Sequence, residues 1–321
     1  MRKIDYLRIS VTDRCNLRCV YCMPEEGVER MKHQELMTFE EIVDLVKALV
    51  PAGIRKIRLT GGEPLVRIGI AELIAKLRSI PEIEDITLTT NGIRLAEMAE
   101  ELKNAGLTRV NVSLDSLKAD KFKEITRWGD LSMVLKGIEK AIVVGLTPVK
   151  LNVVAIRGFN DDEFMDFADL AYRKDLQVRF IELMPIGESD QEASLKHYPI
   201  GEIKGWLETR YDLEPTTSIR TNGPAENYKI VGGKGSIGFI GALSHKFCST
   251  CNRLRLTADG KMRPCLHKDI EYDVLAMIRN GVDYDDIRRF VVEEIIGNKP
   301  EEHNMEEGWG GQKRKMSQIG G

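Results

Sequence analysis

The stretch LRISVTDRCNLRCVYC, residues 7–22, joins an alternating strand pattern to three closely spaced cysteines. Apolar residues at positions 7, 9 and 11 alternate with polar residues at positions 8, 10 and 12, which is the period of a β-strand with one polar face. The thiols follow at positions 15, 19 and 22. The sequence therefore predicts a polar strand face that leads directly into a group of metal or redox ligands.

The same alternation recurs through the first half of the chain. We predict strands near residues 6–12, 55–60, 84–89, 108–114, 148–155 and 177–183. We predict helices near residues 38–50, 69–79, 94–105, 117–126, 131–145 and 161–173. Thr38 followed by Glu41 predicts a capping box for the first helix, and glycines at 53, 106 and 145 predict helix ends. The first five strands carry one polar face, whereas the sixth, QVRFIEL, does not keep the alternation.

Six strand–helix repeats predict a parallel sheet with right-handed crossovers. Doubly wound sheets are covered by helices on both sides, and their strands are apolar on both faces. Strands with one polar face instead favour an open or partial barrel of TIM type, with helices outside and a polar cavity inside. A set of half-exposed strands is the alternative. We therefore predict an α/β fold, a partial TIM-type barrel of about six βα units over residues 1–185.

The strand–helix rhythm fades after residue 185. Residues 186–297 are predicted to form a C-terminal region with a helix near 199–210, a hairpin at 227–240 and helices within 270–297. Gly232 and Gly233 stand where the hairpin would turn. Residues 298–321 are a polar tail that ends in two glycines.

Composition limits the kinds of partner. The 321 residues carry a formal net charge of −3, so no basic field indicates a nucleic acid. No apolar run approaches the roughly 20 residues of a membrane span, and we expect a cytoplasmic protein without a membrane partner. Close cysteines in such a protein are more often metal ligands or redox thiols than disulfides.

The first cysteine group, at positions 15, 19 and 22, offers three thiolates with three and then two residues between them. They could form most of a zinc site completed by His33, but structural zinc ligands usually come in two pairs. A four-iron cluster fits the spacing better. Because such a cluster normally takes four cysteines, three ligands would leave one iron open.

The second group, at positions 248, 251 and 265, again offers three thiolates. His245 or His267 could complete a zinc site, but two similar triplets favour two clusters, each with an open iron. Arg253 and Arg255 point to the same side of an extended segment. With the cations at 8, 58 and 150 on the polar strand face, they would suit a triphosphate.

The motif CNLRCVYC resembles the signature of the radical S-adenosylmethionine (radical SAM) enzymes. The resemblance implies that S-adenosylmethionine chelates the open iron and is cleaved to a 5′-deoxyadenosyl radical after transfer of an electron. LTGGEP, residues 59–64, resembles the family's glycine-rich segment for the methionyl amino group. The positions that match the family's cofactor contacts are Tyr21, Gly61, Gly62, Glu63, Ser113 and Met184.

The whole chain resembles the branch of this family that acts on GTP at the start of molybdenum cofactor biosynthesis. The motifs that carry the resemblance are IRLTGGEPLVR, LTTNG, NVSLDS, VRFIELMP, FCSTCNRLRL and the terminal IGG. It implies two [4Fe–4S] clusters, held by Cys15, Cys19 and Cys22 and by Cys248, Cys251 and Cys265. It implies GTP contacts at Arg8, Arg58, Thr89, Lys150, Arg253, Leu254 and Arg255. It also implies that Gly320 and Gly321 reach into the active site and support cleavage of S-adenosylmethionine.

The implied reaction joins C3′ of the GTP ribose to C8 of the guanine, giving (8S)-3′,8-cyclo-7,8-dihydroguanosine 5′-triphosphate. The implied partners are an electron donor of flavodoxin or ferredoxin type and the next enzyme of the pathway; a homodimer stays open. One alternative is a radical SAM enzyme with an auxiliary cluster that acts on another substrate, such as a peptide. A more distant alternative is a non-catalytic protein with two zinc sites.

Overall fold

A computed structural model describes residues 2–29, 31–184, 195–217, 223–302 and 314–320. Six strands alternate with helices over the first half of the chain, as predicted. The strands are β1 (Tyr6–Ser10), β2 (Lys56–Thr60), β3 (Asp85–Thr90), β4 (Arg109–Ser113), β5 (Val149–Ala155) and β6 (Leu176–Glu182). The helices are α1 (Phe39–Leu49), α2 (Ile70–Arg78), α3 (Leu95–Asn104), α4 (Ala119–Thr126), α5 (Leu131–Val143) and α6 (Phe164–Arg173).

The second half adds one longer helix, further strands and a series of short helices. The helix α7 (Ile200–Leu207) is followed by β7 (Leu213–Pro215), β8 (Glu226–Ile230), β9 (Ser236–Ile240), β10 (Arg253–Leu256), β11 (Lys261–Arg263) and β12 (Tyr272–Asp273). Then come α8 (Val274–Arg279), α9 (Tyr284–Phe290), a π-helical turn (Val291–Ile296) and α10 (Met316–Ile319). Strands β8 and β9 form the predicted hairpin.

All described strands belong to one sheet, in the order β12-β11-β10-β1-β2-β3-β4-β5-β6-β9-β8-β7. Neighbouring strands from β1 to β6 are parallel, and the order does not close on itself. The predicted α/β class with a parallel sheet is confirmed. The sequence pattern missed that β10 extends the sheet beside β1 and that β9 extends it beside β6, both in parallel.

The outer face of the sheet is apolar, and helices cover it. Leu7, Ile57, Leu88 and Val112 are fully or almost fully buried in this layer. The inner face is also enclosed, since polar side chains such as Thr87 and Asn111 are buried. This burial excludes the alternative of half-exposed strands.

Two local features of the sequence can be compared with the structure: the capping box at the start of α1 and the side-chain pattern of β6. The Glu41 backbone N–H donates to Thr38 Oγ1 at 3.1 Å and the Thr38 N–H donates to Glu41 Oε2 at 2.8 Å, which confirms the capping box. The sequence of β6 does not keep the alternation, but the strand still has a core-facing side and a cavity-facing side. Val178 and Phe180 are buried in the helix-covered core, and Arg179 lines the inner cavity. An isoleucine at 181 also faces inward, and this apolar residue on the polar face obscured the pattern.

None of the helices in the described parts of the chain combines the length and the apolar character that a membrane span requires.

Candidate active site

A deep cavity lies at the carboxyl ends of the parallel strands. Both cysteine groups, the ends of β2 to β6 and part of the C-terminal segment contribute to its wall. In barrels of parallel strands this end is where active sites form. The predicted site residues that line it are Arg8, Tyr21, Arg58, Gly61, Gly62, Glu63, Thr89, Ser113, Met184, Arg253, Arg255 and all six cysteines.

Hydrogen bonds hold the first cysteine loop in place. The N–H groups of Cys22 and Met23 both donate to the Cys19 carbonyl, at 2.9 and 3.0 Å, which closes a tight turn between the second and third thiols. The Val20 N–H donates to the carbonyl of Ile125, near the end of α4, at 3.0 Å. These backbone hydrogen bonds tie the loop to the barrel wall.

A carboxylate just after β4 fixes the Tyr21 hydroxyl. This hydroxyl donates to Asp115 Oδ2 at 2.6 Å, and Asp115 Oδ1 accepts from the Val154 N–H at 2.8 Å. Burial raises the pKa of Asp115 to about 6. The aromatic ring between two cysteines is thus tied to the end of β4.

The thiols of the first group fit an iron–sulfur cluster in their chemistry. Burial raises the pKa of Cys15 to about 11 and that of Cys22 to about 12, so these sulfurs are neutral until a cation replaces their protons. All six cysteines are free thiols, and the chain has no seventh that could serve as a fourth ligand of either group. Two sets of three thiols on one cavity are a donor set suited to two clusters with one open iron each.

The glycine-rich segment packs directly on the chain that leads to Cys15. The Gly62 N–H donates to the Thr12 carbonyl at 2.8 Å, and the Glu63 N–H donates to the Arg14 carbonyl at 2.7 Å. A Cβ atom on Gly62 would lie 2.4 Å from the Arg14 carbonyl oxygen. Only glycine allows this approach without displacement of the backbone.

The Glu63 carboxylate lines the cavity and already accepts several hydrogen bonds from the protein. It accepts hydrogen bonds from Thr90 Oγ1 and the Asn91 N–H, both at 2.7 Å, and from the Leu65 N–H at 3.0 Å. Burial nevertheless raises its pKa to about 7. A ligand ammonium group beside it would compensate the buried charge.

The second cysteine group has a more positive environment. Burial opposes ionisation of Cys251, but Arg253 and Lys299 outweigh it and lower the pKa to about 7. Lys299 Nζ donates to the Arg253 carbonyl at 2.8 Å, which fixes this cation beside the thiols. Cys251 is therefore prepared to bind a metal centre as a thiolate.

The histidines proposed as zinc ligands are placed differently from one another. His267 lines the cavity, and its backbone N–H donates to Cys265 Sγ at 3.4 Å, whereas His33 and His245 are exposed and do not line it. Within the described residues, no three His, Cys, Asp or Glu side chains are grouped as ligands of a metal ion.

A row of arginines crosses the cavity wall. In the strand register, Arg8 lies between Arg58 on β2 and Arg255 on β10. Burial and the neighbouring Arg253 lower the pKa of Arg255 to about 9. Because these cations repel one another in a buried site, the free protein is poised to bind a multiply charged anion.

Two predicted GTP contacts do not line the cavity. Lys150 is buried on the inner face of β5, where burial and Arg179 lower its pKa to about 6. The Leu254 side chain points to the other side of β10 and lies in the hydrophobic core.

Sequence reasoning missed several residues of the cavity wall. Arg179 lines the cavity, and burial together with Arg58 lowers its pKa to about 9. Asn91 and Lys299 also line it. The alternation of residues 177–180 could have identified Arg179, but no local pattern brings residue 299 to Cys251.

The C-terminal segment enters the cavity region. Arg255 Nη1 donates to the Gly320 carbonyl at 2.6 Å, and Met316 and Ser317 line the cavity. Gly320 has a φ of +68°, and a Cβ atom there would lie 2.4 Å from Thr60 Oγ1. The prediction for Gly321 falls on a residue outside the described ones.

Comparison with known proteins finds relatives over the full length of this chain. Residues 9–171 match the Radical SAM superfamily, and residues 176–305 match the Molybdenum Cofactor Synthesis C family. The GTP 3′,8-cyclase of Moorella thermoacetica is 53% identical over 100% of this chain and 98% of its own length. That of Syntrophomonas wolfei is 50% identical, with the same coverage. Among solved structures, Streptococcus suis SuiB bound to its precursor peptide is similar in fold, with a TM-score of 0.63 and 14% identity over 90% of this chain and 68% of SuiB.

Proposed function

Because the chain belongs to the radical SAM superfamily and, over its full length, to the GTP 3′,8-cyclase family, we propose that it cyclises GTP. The product is (8S)-3′,8-cyclo-7,8-dihydroguanosine 5′-triphosphate, and the reaction is the first step of molybdenum cofactor biosynthesis. The observation that carries this function is that both cysteine groups and a row of arginines line one cavity. A radical cofactor and a triphosphate can therefore be held side by side.

Two sets of thiols hold the two [4Fe–4S] clusters in this proposal. Cys15, Cys19 and Cys22 bind the first, and Cys248, Cys251 and Cys265 bind the second. When bound, the clusters and S-adenosylmethionine supply the one-electron radical chemistry that protein side chains cannot perform. The electron comes from an external donor of flavodoxin or ferredoxin type, and the product passes to the next enzyme of the pathway.

The first half of the chain supplies the S-adenosylmethionine site. Gly61, Gly62 and Glu63 receive the methionyl amino group, because Glu63 is a buried carboxylate beside two residues that allow close approach. Tyr21, Ser113 and Met184 complete the contacts to the cofactor from three different segments of the cavity wall.

Buried arginines and their neighbours orient GTP. Arg8, Arg58, Arg253 and Arg255 receive the triphosphate, and Thr89 offers a buried hydroxyl on the same wall. Lys150 contributes to the GTP site from its buried position on β5, behind the residues that line the cavity. Leu254 contributes through its backbone. Holding the ribose between the two clusters is the main task, since positioning can supply roughly 7–11 kcal/mol of a barrier.

In this proposal, three parts of the chain have different roles. Residues 1–185 form the radical SAM core, residues 186–297 carry the second cluster and substrate contacts, and residues 298–321 form the tail. Gly320 and Gly321 at its end support cleavage of S-adenosylmethionine; the hydrogen bond from Arg255 to the Gly320 carbonyl supports a place for this tail beside the cavity.

Anaerobic turnover of the reduced, reconstituted protein with S-adenosylmethionine and GTP tests the function. We expect 5′-deoxyadenosine and an isomer of GTP in equal amounts, both lost in Cys15→Ala. Cys248→Ala should keep the first cluster but form little of the GTP isomer. Formation of 5′-deoxyadenosine without a GTP product would refute the assigned substrate, and two bound zinc ions with no 5′-deoxyadenosine would refute the enzyme class.

A further inference from the structure

Residues 314–320 form a short, well-packed segment between the two halves of the site. The helix α10 begins after Lys315, whose N–H donates to Gln318 Oε1 at 2.9 Å. Ser317 is 2% exposed and lines the cavity, and its backbone hydrogen-bonds to the sulfur of Cys22. The Gly320 carbonyl accepts from Arg255. One short segment thus contacts both cysteine-bearing parts of the chain.

Arg314 attaches the other end of this segment, six residues before Gly320. Its Nη1 and Nη2 donate to the two carboxylate oxygens of Asp259 at 3.1 and 2.7 Å. Its Nε lies 2.7 Å from Glu271 Oε1. A guanidinium that uses two edges on two carboxylates is held in position and orientation.

Both carboxylates are themselves fixed on the element that carries the second cysteine group. Thr257 Oγ1 donates to Asp259 Oδ1 at 2.6 Å in the turn between β10 and β11. Glu271 also pairs with Arg263, which is fully buried on β11. The Arg314 side chain is only 16% exposed, so solvent competes weakly for these contacts.

We propose that Arg314 is a positioning residue for the reaction: anchored on Asp259 and Glu271, it holds the C-terminal segment so that Ser317 lines the cavity and Gly320 contacts Arg255. Arg314 does not line the cavity and acts through these two residues. The inference rests on the proposed function for its catalytic consequence, but the anchor itself is a property of the protein alone.

The test compares Arg314→Gln, Asp259→Asn, the double variant and the conservative Arg314→Lys, each as reconstituted holoenzyme. Arg289→Gln is the matched control, because Arg289 is 65% exposed and pairs with Asp286 three residues away on the same helix. Amide hydrogen exchange of residues 315–320, followed by mass spectrometry of the C-terminal peptide, reports the anchor without turnover. Formation of 5′-deoxyadenosine and the KM for GTP report its consequence.

Loss of the anchor should speed exchange in the C-terminal peptide by about 10- to 100-fold in Arg314→Gln, the range for a shielded charge-assisted contact. Arg314→Lys should lie between Arg314→Gln and the wild type, and the double variant should be no faster than the worse single variant. The kcat for 5′-deoxyadenosine formation should fall by a similar factor with little change in KM for GTP.

Unchanged exchange in Arg314→Gln would overturn the anchor. Faster exchange with unchanged kcat would overturn its positioning role. A wild-type protein that forms 5′-deoxyadenosine without a GTP product would instead refute the substrate assignment, while the exchange result and the cofactor-cleavage result still decide the role of Arg314.

Discussion

Gly62 determines how closely the glycine-rich segment can approach the chain before Cys15. In Gly62→Ala, the new Cβ atom would meet the Arg14 carbonyl oxygen at 2.4 Å and push the cysteine loop away. We expect loss of the first cluster, and with it of 5′-deoxyadenosine formation, while the second cluster stays bound. Iron content and turnover measure this.

Gly201→Ala is the matched control, since nothing lies within 4 Å of a Cβ atom at that position in α7. Alanine in this first turn should stabilise the helix by at most the roughly 0.5–1 kcal/mol expected in the middle of a helix, and leave both clusters in place. A Gly62→Ala protein with full iron content and activity would contradict the role given to this contact.

Arg58 is one of the row of arginines in the cavity wall, and its substitution measures the contribution of a single member. It is 6% exposed and donates to Thr87 Oγ1 at 3.2 Å. In Arg58→Gln we expect the Kd for GTP to rise by about 10- to 100-fold, because one shielded charge-assisted contact is lost. Calorimetry should show no change in the Kd for guanosine, which lacks the triphosphate. Equal weakening of both ligands would place Arg58 outside the phosphate site.

At the scale of elements, β3 and β4 are joined by a buried ion pair near their amino ends. Arg109 Nη2 lies 2.7 Å from Asp85 Oδ2, and both side chains are at most 2% exposed. Asp85→Asn would leave the arginine charge without its counter-ion, at a cost of about 3–5 kcal/mol in the free energy of unfolding. Chemical denaturation measures this cost.

The exposed pair of Arg289 and Asp286 provides the comparison for Asp85→Asn. Asp286→Asn should change the free energy of unfolding by at most about 1 kcal/mol. Similar losses in the two variants would mean that burial does not set the strength of the Asp85 contact.

The elements also show which parts of the fold the sequence could predict. Alternation identified the inner face of β1 to β5, because each strand places its polar residues on one side of a helix-covered sheet. It failed on β6, where Ile181 faces the cavity as an apolar residue. It could not place β10 beside β1, since this pairing joins residues about 250 positions apart and leaves no local signal.

For the whole molecule, the cavity depends on contacts between distant parts of the chain. The cysteines and most of the predicted cofactor contacts that line the cavity could be identified from motifs, because their chemistry requires short spacings. Lys299 and the attachment of Arg314 could not, because tertiary packing alone brings them to the site. A motif can also point to a residue whose side chain is not in the cavity: Leu254 belongs to the motif, but its side chain lies in the hydrophobic core.

In the proposed reaction, one cavity brings a radical derived from S-adenosylmethionine to C3′ of GTP. The most direct test of this reaction is anaerobic turnover with GTP that carries deuterium at C3′, followed by mass spectrometry of both products. We expect one deuterium in 5′-deoxyadenosine and a cyclised product lighter by that deuterium. Unlabelled 5′-deoxyadenosine beside unchanged GTP would contradict the proposed reaction.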